Sequence, residues 1–194
     1  MSPSLESDLA DTLPAEAVTG GDEAGLVRET VAGDSGAFDQ LVRVHHPRVF
    51  NFIFQMTRQR QDAEDLTQQT FIKAFAHLAR FDGRRPLINW LLTIARHTTL
   101  NHFRAAKHWE EVPESLAGTE PSPARVAEDR DHRDTLWARA RALLSRREFE
   151  VLWLRFAEDL SVKETAAVVG LTQIHVKVLV LRARRALMNE ETLL

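Results

Sequence analysis

Apolar residues recur along most of this chain at intervals of three and four, the spacing of one helix face. No segment alternates with the period of two that a half-buried strand needs. Phe38, Leu41, Val42, His45, Val49, Phe52, Ile53 and Met56 form one such run. Asp34 or Ser35 stands where a side-chain oxygen caps its first turn, and the helix tolerates or bends at Pro47. A shorter helix is predicted over residues 22–32. A third begins at Asp62, with Ala63, Leu66, Phe71, Phe75 and Leu78 as core positions. Asp82-Gly83 signals a turn. Pro86 then opens a fourth helix, where a missing amide hydrogen matters little. That helix carries Leu87, Trp90, Leu91, Ile94, Leu100 and Phe103, with Trp90 expected in the core.

The period breaks where Pro113, Gly118, Pro121 and Pro123 lie among acidic residues, the composition of a linker. A helix is predicted over about 126–144. Ser145 with Glu148, and Ser161 with Glu164, have capping-box spacing and place helices at about 146–157 and 162–169. Gly170 suits a helix end, and Thr172 caps a last helix running to about 189. The short join between those two helices is a helix-turn-helix pattern. The fold class is therefore all-α, with two small helical domains on a flexible linker. The expected organisation is a disordered tail over 1–21, one domain over 22–108, a linker over 109–130 and a second domain over 131–190.

Composition narrows the class. Hydrophobic content of 44% and charged content of 27% are those of an ordinary soluble chain. There is no cysteine, so disulfides and thiolate-held zinc are out. No secretory start and no membrane-length apolar run are evident, so the expectation is a cytoplasmic protein that is not membrane-embedded. The net charge of −3 conceals blocks: −7 over residues 1–35, +6 over 36–108, −5 over 109–134, +5 over 135–189 and −2 over the last five. Two basic bodies on an acidic tether suit nucleic-acid contact by both, although solvated arginine-rich helices give the same count.

Three clusters carry candidate function. The first is the run from Asp62 to Phe71, where Asp62, Glu64 and Asp65 suit the positive end of a helix. No histidine follows at ligand spacing, and no metal site, paired catalytic acids, cofactor or small-molecule substrate is expected. The second interleaves rings and cations: Phe81, Arg84, Arg85, Trp90, Arg96, Asn101, Arg104 and Lys107. Flat rings stack on exposed bases while cations follow phosphates, the chemistry of single-strand binding. The third is the last helix. Val176, Val180, Ala183 and Leu187 share an inward face. Thr172, Gln173, His175, Lys177, Arg182, Arg184 and Arg185 are then available for a major groove or its phosphates. The pair His45-His46 sits in an amphipathic helix with one ring inward and one outward, so both read as structural.

In order and spacing, these segments resemble the extracytoplasmic-function (ECF) sigma factors of the sigma-70 family. The resemblance rests on Asp62-Ala63-Glu64-Asp65-Leu66 with Gln68 and Phe71, then Trp90-Leu91 and Ile94-Ala95-Arg96, then Val176-Lys177 and Arg182-Ala183-Arg184. It implies a promoter-recognition factor for RNA polymerase and not an enzyme. Asp62, Glu64, Asp65 and Gln68 would dock on the β′ clamp. Phe81, Arg84, Arg85, Arg96, Asn101, Arg104 and Lys107 would hold an opened minus-ten element, with a base flipped into a small pocket. The second domain would meet the β flap and put the Thr172 helix into the minus-thirty-five element. The resemblance also allows an anti-sigma protein as a partner. The competing reading is a helix-turn-helix regulator that acts without polymerase, which leaves the first two clusters unexplained.

The chain departs from that family at three places. His97 stands where asparagine is usual, and Ser145 where proline is usual. In the last helix, Val178 and Leu179 replace a serine and an arginine. Ile174, Val178 and Leu181 then make a second apolar stripe. It can meet thymine methyls, be covered by another protein or by the first domain, or mark weak upstream reading.

Overall fold

The computed structural model describes residues 20–110 and 128–191, and side chains over 23–105 and 136–188. The tail, most of the expected linker and the Lys107 side chain lie outside the described residues. Those described form helices joined by turns, without a strand. They are α1 (Gly20–Val31), α2 (Ser35–Thr57), α3 (Arg60–His77), a 3-10 turn (Leu78–Arg80), α4 (Leu87–Glu110), α5 (Glu128–Leu143), α6 (Arg146–Phe156), α7 (Val162–Val169) and α8 (Gln173–Glu191).

The chain divides into two compact units, and the boundary falls inside α2 after His45. In the first unit, Asp34 caps α2, its Oδ1 accepting from the amides of Gly36 at 2.8 Å and Ala37 at 3.3 Å. Buried His45 meets Glu23 at 2.9 Å, and His46 is exposed, as the amphipathic pattern required.

The second unit holds the described residues from His46 onward. Val49, Phe52, Ile53, Ala63, Leu66, Leu87 and Leu92 are buried around α3 and α4. Val151, Leu154, Val168, Val169, Val176 and Ala183 are buried around α6, α7 and α8. Both capping boxes form, at Ser145 with Glu148 and at Ser161 with Glu164. Each gives two otherwise unpaired amides a partner. Gly170 ends α7 at φ 68°, the left-handed conformation that a Cβ disfavours. The α7–α8 pair is bent by 100°, the geometry of a helix-turn-helix.

Two local expectations are corrected. α3 begins at Arg60, not Asp62, and its N-cap residue Gln59 makes no side-chain cap. The reason is Arg58, which adopts φ 64° and ends α2 with its amide bonded to the Phe54 carbonyl at 2.9 Å. That left-handed residue lets the next helix start almost at once. Only Asp62 of the three carboxylates therefore lies in the first turn. Trp90 is half-buried rather than a core residue. At the larger scale, α4 packs on α7 as well as on α3.

Candidate functional site

The acidic cluster divides once folded. Glu64, Asp65 and Gln68 are exposed on α3, while Asp62 is partly buried 3.4 Å from His102 of α4. Glu64 is engaged by Arg60 one turn earlier at 2.8 Å. Asp65, Gln68, Ile72 and Phe75 fall at i, i+3, i+7 and i+10, on one exposed face. Ile72 and Phe75 are 61% and 52% exposed, so that polar face continues into an apolar one. The expectation of Phe75 in the core is thus corrected, and Ile72 is a surface residue that helical spacing did not single out.

The ring-and-cation cluster sits on the loop before α4 and on α4 itself. The Phe81 amide donates to the Leu78 carbonyl at 2.9 Å, and the Phe81 and Trp90 rings lie 5.5 Å apart at 47°. Gly83, at φ 66°, turns the loop so that Arg84 and Arg85 are exposed. Asn101 and Arg104 are also exposed, bonded to each other at 3.0 Å. Phe81, Trp90, Arg80, Arg85 and Asn89 line a cavity of about 320 Å³, closed on its other side by Glu164, Ala167 and Val168 of the α7 segment. Arg96 does not join this surface. Its Nε donates to Glu150 Oε1 at 2.5 Å, with the two side chains 11% and 3% exposed. In this arrangement a buried carboxylate claims the Arg96 guanidinium.

Glu150 is the residue that sequence reasoning missed. It lies within an unbroken buried run, Phe149 to Leu154, and a carboxylate there needs a cation. Burial pushes its carboxyl above the ordinary value, and Arg96, with smaller pulls from Arg147 and Arg146, only partly offsets this. Glu164 is shifted the other way, held low by hydrogen bonds from the Ser161 side chain and backbone. The signs are opposite. A raised acid contributes more stability as pH falls toward its ordinary range, and a lowered acid loses its contribution only below that range. Wild type should therefore gain stability relative to Glu150→Gln as pH falls from 7 to about 5. Paired melting curves measure this; a gap that stays constant or moves the other way contradicts the assignment.

On α8, Val176 and Ala183 are fully buried, while Val180 and Leu187 are half-buried. Thr172 caps the helix, its Oγ1 accepting from the His175 amide at 3.3 Å. Gln173, His175, Lys177, Arg182, Arg184 and Arg185 are all exposed. The Arg184 guanidinium lies 5.2 Å from the Phe156 ring centroid. Ile174, Val178 and Leu181 are 74%, 38% and 50% exposed.

These surfaces coincide with two family models: Sigma-70 region 2 over residues 41–108, and Sigma-70, region 4 over 137–187. The ECF RNA polymerase sigma factor SigC of Mycobacterium tuberculosis is 30% identical over 182 residues, covering 90% of this chain and 91% of that protein. The chain belongs to the ECF sigma factors. As a sigma-70 factor it binds core RNA polymerase and promoter DNA. A regulator acting without polymerase would have no use for region 2, and that rival is not favoured. BldN of Streptomyces coelicolor is 34% identical over 168 residues, 84% of this chain but 63% of its own length, so the chain spans just under two thirds of that relative. Among solved structures, the sigma factor RpoE of Bartonella quintana, crystallised with the anti-sigma factor NepR, is 26% identical. It matches with a TM-score of 0.61 over 78% of this chain and 94% of that one. CnrH, solved with the cytosolic domain of CnrY, shares the fold at 24% identity and a TM-score of 0.63, covering 88% of this chain and 97% of that one.

Proposed function

We propose that this ECF sigma factor divides its work between three surfaces. Asp65 and Gln68, flanked by Glu64 and Asp62, dock the region 2 domain (22–108) on the polymerase β′ clamp. Phe81, Arg84, Arg85, Asn101, Arg104 and Lys107 hold the opened minus-ten strand, joined by Arg96 once it is released from Glu150. The region 4 domain (131–190) meets the β flap and lays the basic face of α8 on the minus-thirty-five duplex, with the 109–130 linker between. The factor performs no chemistry of its own and works in the cytoplasm beside polymerase. No single described helix is long and apolar enough to cross a membrane. RpoE pairs with an anti-sigma protein, and a protein of that kind is the proposed inhibitor here.

One observation carries this reading: an exposed acidic face on α3, and half-buried rings beside exposed cations on α4 and the loop before it, belong to the same region 2 domain. The first suits a protein partner and the second a nucleic acid. Co-purification with core polymerase tests it. Assembly with core together with weak binding to free promoter duplex is expected; tight duplex binding without assembly contradicts it.

α8 reads duplex DNA weakly for its family, because Leu179 stands where a cation is usual and Val178 where a hydroxyl is usual. Val178→Ser with Leu179→Arg adds one phosphate contact. It should raise holoenzyme affinity for upstream duplex about three- to tenfold and steepen the log–log salt slope by about one. An unchanged slope would show that these two positions do not limit the contact.

A further inference from the structure

α8 is apolar on two opposite faces, and only one of them is used in the core. Val176 and Ala183 are fully buried, and the helix packs on α6 and α7. On the opposite side Ile174, Leu181 and Met188 recur every seven residues with Val178 between them, and all four are exposed. Lys177 and Arg184 flank this stripe on one side and Arg182 on the other, while Arg185 lies on it. From Gln173 to Met188 the helix carries no acidic residue. Beside the stripe stands Phe156, also exposed. With Val162 and Leu181 it lines a hollow of about 330 Å³, and Arg155, Lys177 and Arg184 are the cations around it.

The chemistry of this face selects its partner. Residues 174–188 extend about 21 Å at 1.5 Å per residue. A major groove is about 12 Å wide, so thymine methyls cannot account for the whole stripe. A convex apolar stripe edged by cations is the build of a helix that lies in a bilayer interface. Its apolar side chains sink past the headgroups, while Lys and Arg stems reach back to the phosphates. The α7–α8 pair is apolar enough in composition to pass for a broken membrane span. It is bent by 100°, and its other face is committed to the core, so it suits lying on a bilayer rather than crossing one. With charges of one sign around the stripe, an anionic surface is the complement.

We propose that α8 binds the surface of an anionic lipid bilayer, with Ile174, Val178, Leu181 and Met188 at the boundary of headgroups and acyl chains and Lys177, Arg182 and Arg184 at the lipid phosphates. This goes beyond the sigma reading and does not depend on it. Where both hold, lipid and upstream duplex compete for the same cations, and a membrane-held factor keeps its upstream-reading helix away from DNA.

Flotation of the full chain with vesicles tests it. Binding to vesicles of equal parts phosphatidylglycerol and phosphatidylcholine is expected, and binding to pure phosphatidylcholine should be at least about tenfold weaker, since each cation near an anionic surface contributes about fivefold. Added salt should weaken binding to the mixed vesicles. Ile174→Ser with Leu181→Ser keeps every cation and should lower that binding at least about tenfold. Should the serine pair lose helical circular dichroism, Ile174→Asp, at the most exposed of the four positions, should give the same loss. Wild type that does not float with the mixed vesicles, or that binds pure phosphatidylcholine equally well, overturns the proposal and leaves the stripe to a protein partner. A folded stripe variant that floats like wild type overturns it as well, because charge alone would then hold the factor. Polymerase takes no part in this assay, so neither result bears on assembly with core.

Discussion

Asp65→Lys combined with Gln68→Ala is expected to lower affinity for core polymerase about a hundredfold, or about 2.7 kcal/mol. The geometry singles out this pair among the four polar residues of the acidic cluster. Asp62 is engaged by His102 and Glu64 by Arg60, whereas Asp65 and Gln68 are exposed and make no ion pair among the described residues. They head a face that continues into exposed Ile72 and Phe75. A polar patch beside large apolar side chains is the composition of an interface hot spot, where truncations of about 2 kcal/mol or more concentrate. Glu64→Ala should have less than about a tenfold effect, since an exposed i,i+4 pair contributes only about 0.3–0.5 kcal/mol. Titration of labelled factor with core measures both, and thermal melts should move little because the changed side chains are exposed. Equal losses for Glu64→Ala and the double variant would remove the distinction.

Phe81→Ala is expected to reduce promoter opening by ten- to about a hundredfold while leaving core affinity unchanged. Stacking a base on an aromatic ring contributes about 1–3 kcal/mol. Phe81 is held in position to stack. Its amide is tied to Leu78, Gly83 turns the loop beyond it, and Trp90 supports its ring from α4. The loss should persist on a template melted in advance, since the contact is made to the unpaired strand. A variant that fails only on duplex, or one that assembles poorly with core, would place Phe81 in a different role. Arg84→Ala, at an exposed cation of the same loop, should lower the salt dependence of opening without this base-level effect.

What the sequence disclosed was local. Side-chain caps announce themselves at fixed spacing, and those at Asp34, Ser145, Ser161 and Thr172 form where their chemistry places them. Gly170 ends α7 for a reason visible in one residue. The start of α3 is displaced because a left-handed arginine, Arg58, is not a turn residue that composition flags. Arg96 reads as DNA-facing in sequence because nothing within its own helix competes for it. Its partner lies 54 residues later, and only the packing of α4 against the second helical group brings them together. The trace of that partner is legible: Glu150 stands between Phe149 and the apolar run Val151 to Leu154, where an ion survives only if paired. Ile72 and Phe75 escape a sequence reading because helical spacing groups apolar residues without saying which of two faces meets a core.

The most direct measurement is run-off transcription with purified core polymerase and this factor on fragmented genomic DNA, followed by start-site mapping. The account predicts discrete starts that require the factor, share sequence elements near minus ten and minus thirty-five, and vanish with Asp65→Lys plus Gln68→Ala. A holoenzyme that forms yet yields no factor-dependent start, or starts that survive that double variant, would contradict it.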